Sequence, residues 1–184
     1  MQYPREAKHY FLYACMLIWA SFVVLFIGWY SGQSAVSYIA ATNLATYLIL
    51  AMGTSSWACL TYLFVQQCFF NKIKAVKTLK FFFYVVTAGT VVVGLVPASQ
   101  GIPLAVHSLV ATIISYSFLA ILLIIAVQSK YSLIFRSHAG LSIILMVGFV
   151  YGLGGLLGQV LAIATFDVFI LIAVYTRQGL LRAS

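Results

Sequence analysis

The segment GLSIILMVGFVYGLGGLLGQVLAIATFDVFILIAVY, Gly140–Tyr175, carries one formally charged side chain, Asp167. As a single helix it would be on the order of 55 Å long. A bilayer's hydrocarbon core is about 30 Å thick, so the segment must fold back. The cluster Tyr151-Gly152-Leu153-Gly154-Gly155 is the place for the turn, because glycines break helices and accept positive φ. The segment therefore reads as two short spans, over 140–153 and 156–175.

The rest of the chain has the same character. Of its 184 residues, 64% are hydrophobic, 16% aromatic and only 7% charged. An ordinary soluble domain is about 25% charged. Mean hydropathy is +1.10. A soluble fold of this size cannot hide so much apolar surface. That excludes a cytosolic enzyme, a secreted disulfide scaffold and a disordered regulator. Further apolar runs cover Tyr10–Tyr30, Val36–Val65, Phe81–Val96 and Leu104–Val127. The predicted fold is all-α: one integral membrane domain over 1–184, a polytopic bundle of six transmembrane helices. The first run exceeds the roughly 7–15 apolar residues of a cleaved signal, and Gln33 stands where a small residue would precede cleavage after Ala35. It reads as a span.

Charge sets the expected orientation. Ten Lys and Arg face two acids, a net charge of +8. Six spans put Arg5 and Lys8, then Lys72, Lys74, Lys77 and Lys80, then Lys130 and Arg136, then Arg177 and Arg182 on one side. That is every basic residue. The connections 31–35 and 97–103 and the glycine turn contain none. Basic residues collect on the cytoplasmic side, so both termini are expected there, in a cell (inner or plasma) membrane. Lys72, Lys74, Lys77 and Lys80 suit the anionic lipids of that leaflet. The basic residues do not form one helical stripe, so nucleic acid is not the expected partner.

Several chemistries find no footing. Cys15 and Cys59 fall inside spans and Cys68 at a span end, with no Cys-x-x-Cys or Cys/His metal spacing. No zinc helix, nucleophile elbow or nucleotide loop is present. With only two acids, paired-carboxylate catalysis and a hard-cation cage are almost excluded. His9 and His138 flank spans on the cytoplasmic side and His107 lies on the other, a poor set for one haem iron. No metal and no cofactor is expected.

Polar side chains are the signal in a membrane. Asp167 lies in Ile163-Ala164-Thr165-Phe166-Asp167-Val168-Phe169-Ile170, near the middle of the last span. An acid there costs roughly 2.5–3.5 kcal/mol on insertion scales and marks a functional candidate. It can relay a proton, bind a cation, or hold a neighbouring helix. His107 enters the fourth span from the outer side, as a titrating group or a helix anchor. Behind it Ser108, Thr112 and Ser115 share one helix face, where hydroxyls line a cavity or satisfy their own backbone. Asn43, Tyr47 and Thr54 form a stripe in the second span, and Thr87, Thr90 and Gly94 another in the third. Gln159, eight residues before Asp167, lies about 80° from it around the helix. Converging stripes would join Asn43, His107, Gln159 and Asp167 in an outward-opening pocket. Gly152, Gly154, Gly155 and Gly158 would let the last two helices pack closely, and Gly154-x-x-x-Gly158 fits the close-packing motif.

Gly94-Leu95-Val96-Pro97, then His107 and Ala111, resembles a pattern in the small six-helix membrane proteins of the domain-of-unknown-function 998 family. There a third helix ends in Gly-x-Phe-Pro, a short outer loop follows, and a histidine starts the fourth helix. Gly158-Gln159 is similar to that family's Gly-x-x-Gln-Arg at the start of the sixth helix. Val96 stands in place of Phe, Val160 in place of Arg, and the loop lacks its usual acid. The resemblance implies the six-span fold and no activity. Three functional readings follow from the residues. The first is a polar pocket that binds or moves a small solute or protons. The second is a non-catalytic accessory subunit of a membrane complex. The third is a lipid-modifying enzyme with His107 as base.

Overall fold

The computed structural model describes residues 44–66, 77–96, 101–128, 131–153 and 155–175, with scattered positions between 9 and 23 that are all helical. Helices account for every regular element among the described residues. They are α1 (Leu44–Val65), α2 (Lys77–Leu95), α3 (Ile102–Val127), α4 (Leu133–Gly148), a π-helical turn (Phe149–Leu153) and α5 (Gly155–Tyr175). Among the described residues, four segments are long and apolar enough to cross a membrane: Leu44–Val65, Lys77–Leu95, Ile102–Val127 and Leu133–Leu153. Leu157–Ile172 is a shorter apolar helix. Their outward faces are apolar, with Met52, Leu109, Tyr116, Leu133 and Ile144 all exposed. So much apolar surface belongs in lipid or against protein, not in water.

Helix ends differ from the apolar runs in a consistent way. The second helix begins four residues earlier than the run at Phe81, taking in Lys77 and Lys80. Lysine forms helix well, and its stem can lie along apolar surface while its ammonium reaches water. Pro103 lies in the first turn of α3, where its missing N–H costs nothing. Gly101, just before it, has φ of 80°, a left-handed setting that suits glycine. Helix α4 starts at Leu133, ahead of Arg136 and the run that opens at Gly140. Ser132 caps it by accepting from the Phe135 amide at 3.2 Å. Arg136 stays within the helix because its Nε donates to the Ala126 carbonyl at 2.7 Å, satisfying an orphan acceptor at the end of α3.

The described chain forms two compact units, Met1–Ser117 and Phe118–Ser184. In the first, α1 and α2 run antiparallel. The Tyr47 hydroxyl donates to the Leu95 carbonyl at one end, and the Tyr62 and Tyr84 rings meet at 5.5 Å towards the other. Gly94 lets the backbones approach, since a Cβ there would run into Thr54 Oγ1. Gly89 makes room for side chains of α3, where a Cβ would lie 2.7 Å from Ile114 Cγ1. In the second unit, Phe135 stacks on Phe169 at 5.3 Å, while a Cβ on Gly158 would strike the Phe149 carbonyl. As positions advance in α4 and the π turn, their partners in α5 move backwards, so the chain reverses between Phe149 and Gly158. Phe118 meets Phe166 edge-on at 4.4 Å. Ile121, Leu122 and Ile125 are fully buried beside this aromatic cluster in sequence.

Candidate functional site

Asp167 is 3% exposed and is the sole acid among the described residues. In the sequence of α5 it lies between Phe166 and Phe169, both buried. The Phe135–Phe169 stack sets the register of α4 against α5. Asp167 is therefore level with about residues 137–140 of α4, well inside the hairpin. Thr165 donates to the Leu161 carbonyl at 2.8 Å. Gln159, at the start of the same helix, is exposed. Gln159 and Asp167 thus differ in burial, in keeping with their angular offset.

His107 is 6% exposed and lies in the first unit. Its Nδ1 is 2.7 Å from the Val96 carbonyl oxygen. A carbonyl only accepts, so Nδ1 carries the proton. The bond ties the first turns of α3 to the end of α2. Ser108, Thr112 and Ser115 all lie on the exposed side of α3. Thr112 Oγ1 donates to the Ser108 carbonyl at 2.8 Å and Ser115 Oγ to the Ala111 carbonyl at 2.9 Å. These hydroxyls are satisfied by their own helix, which lets a polar group face an apolar medium. Thr54, Thr87 and Thr90 bond in the same way to Leu50, Phe83 and Val86.

Asn43, Gly154 and Cys68 lie outside the described residues, as do Lys72 and Lys74. Gly152 is exposed in the π turn, Gly155 opens α5, and Gly158 is buried against the Phe149 backbone. His9 is exposed, 6.3 Å from the Tyr13 ring. His138 Nδ1 lies 2.8 Å from the Ile134 carbonyl of its own helix. Among the described residues no three His, Cys, Asp or Glu side chains gather in a metal-binding group.

The structure adds polar groups that spacing did not mark. Thr46, Thr61, Ser117 and Ser142 are buried, and Ser117 Oγ donates to the Ile113 carbonyl at 2.7 Å. Tyr131, in the connection between α3 and α4, has no exposed surface. Burial pushes its phenol up to about 12. Its ring meets Phe135 at 5.5 Å. No family model matches the chain, and no curated protein or solved structure does either.

Proposed function

We propose that this chain is a six-span protein of the cell membrane, with both termini cytoplasmic, that binds or moves a small solute or protons through a polar site centred on Asp167. The observation that carries the reading is the burial of Asp167, 3% exposed within an apolar helix. An intramembrane acid is expensive, and such groups cluster on ion and substrate paths. The resemblance to the domain-of-unknown-function 998 family fits this topology and adds no activity. The test is dissipation of a pH gradient, or uptake of a solute panel, by proteoliposomes holding wild type or Asp167→Asn. Loss of flux in a variant that still folds supports the proposal. Equal flux in both overturns it.

A second reading is an accessory subunit, in which the polar residues only hold helices. It is favoured by His107, whose Nδ1 is committed to Val96, and by hydroxyls spent on their own backbones. It expects a stoichiometric partner to co-purify in mild detergent. A partner-free, monodisperse monomer counts against it. A lipid-modifying enzyme using His107 as base ranks third, because no nucleophile accompanies that histidine in the sequence pattern.

A further inference from the structure

Helix α4 buries Phe135, Ala139, Ser142 and Met146, which fixes its rotation. The opposite side presents Leu133, Ser137 and Ile144, all exposed, with half-buried Gly140 in line between them. Positions i, i+4, i+7 and i+11 share one face. A Cβ added at Gly140 would meet nothing within 4 Å, so this face carries a gap between larger side chains. Arg136 stands half-buried at its edge, about one turn, or roughly 6 Å, before the gap. Its side chain reaches back to the end of α3, where Nε donates to the Ala126 carbonyl at 2.7 Å. Exposed Leu141 and Ile144 lie the other way, deeper along the apolar part of the helix.

That bond leaves most of the guanidinium unspent. Arginine carries five N–H donors, and the bond places one of them on a neutral acceptor. Among the described residues no carboxylate pairs with Arg136: Asp167 is the sole acid there, and no ion pair joins the two. Helix dipoles do not settle the charge either. The carboxyl end of α3 favours a cation, while the first turn of α4, which contains no acid, opposes one to a similar extent. The remaining donors form a planar fork that matches a phosphate. The surroundings narrow the choice of anion. A free phosphate would use only the guanidinium. An acidic side chain of another protein would leave the gap at Gly140 empty. A lipid with an anionic head uses both, because the guanidinium lies towards the connection and the gap lies towards the acyl chains.

We propose that Arg136 and the gap at Gly140 seat one anionic phospholipid, its phosphate on the guanidinium fork and its first methylenes against Gly140, Leu141 and Ile144. The inference needs the chain to be membrane-embedded and takes nothing from any role of Asp167. The test is thermal unfolding of the full-length protein in detergent, titrated with phosphatidylglycerol, phosphatidylcholine or glycerol 3-phosphate. Wild type responds to phosphatidylglycerol at a lower concentration than to phosphatidylcholine, and glycerol 3-phosphate leaves its Tm unchanged. Arg136→Gln cuts the preference for the anionic lipid by roughly 5-fold, the worth of one arginine at a membrane surface. Arg136→Lys keeps the charge and with it most of the preference, which separates charge from the bond to Ala126. High salt shrinks the preference in wild type. Gly140→Leu fills the gap, weakens the response to both lipids and leaves their ratio unchanged. It keeps Arg136 in place, so it decides the matter should Arg136→Gln fail to fold. A preference unmoved by Arg136→Gln overturns the proposal, and so does an equal loss in the Gln and Lys variants. Undiminished responses to both lipids in Gly140→Leu overturn it as well. A response to glycerol 3-phosphate equal to that of the anionic lipid overturns it in favour of a phosphate site.

Discussion

Tyr131 is fully buried although it lies in a connection between helices. Its ring fills space beside Phe135, which in turn stacks on Phe169, so one loop residue joins the aromatic core of the α4–α5 hairpin. This has a consequence in alkali. The phenol is raised from 10.0 to about 12 because burial disfavours the phenolate. Below the lower value both folded and unfolded chains keep the proton, and the residue adds no pH dependence. Between the two values the unfolded chain releases it while the folded chain holds it, so stability falls as pH rises. We expect the Tm of wild type to drop more steeply than that of Tyr131→Phe across this interval, with the two curves parallel at lower pH. Parallel curves throughout would show that the phenol is not held neutral by the fold. His107 makes the complementary point at the same scale: a histidine chosen for its chemistry is used in part as a donor to Val96.

Elements were legible in the sequence where physics forces a choice. A run too long for one span had to reverse, and the glycines near Tyr151 offered the only break. The chain does turn back between Phe149 and Gly158. Helix ends were less legible, because Lys77 and Arg136 read as connection when taken as charges, whereas their long stems and donors allow them inside helices. Which face is buried was not legible at all. In a membrane both the lipid side and the protein side are apolar, so the amphipathic contrast that orients a soluble helix is missing. Hence Ser108, Thr112 and Ser115 could be placed on one face by spacing, but their exposure could not be foreseen. Glycines distinguish packing from accident. Gly158 faces the Phe149 backbone, which cannot move aside, while at Gly140 an added Cβ meets nothing within 4 Å. Gly158→Ala should therefore destabilise by about 1–3 kcal/mol through overpacking. Gly140→Ala should stabilise by up to about 1 kcal/mol through helix propensity. Unfolding midpoints of the two variants in the same detergent check this, and matching shifts would mean that close approach does not hold the hairpin.

At the scale of the whole molecule, orientation rests on charge. All ten basic residues fall on one side in a six-span arrangement, while the connections 31–35 and 97–103 carry none. Remove one span and Arg177 and Arg182 move across the membrane, which opposes the bias that directs insertion. The decisive span is the one containing Asp167, because an acid near its centre lowers its apolarity and with it the drive to insert. If that segment crosses, its acid is drawn into the bilayer and the basic tail returns to the side of Arg5 and Lys8. If it does not cross, the acid has no membrane to be buried in and the proposed site loses its basis. Reporter tags on the two termini separate these cases. Both are expected to be protected from external reagent in intact cells and to react together once the membrane is permeabilised. A cysteine placed in the 97–103 connection, in a chain otherwise free of cysteine, is expected to react from outside. Tags found on opposite sides would remove a span and, with it, the transport reading. Asp167→Leu should leave the same-side result intact, because it makes the last span more apolar. A topology that changed with that substitution would mean the acid itself decides how the hairpin inserts.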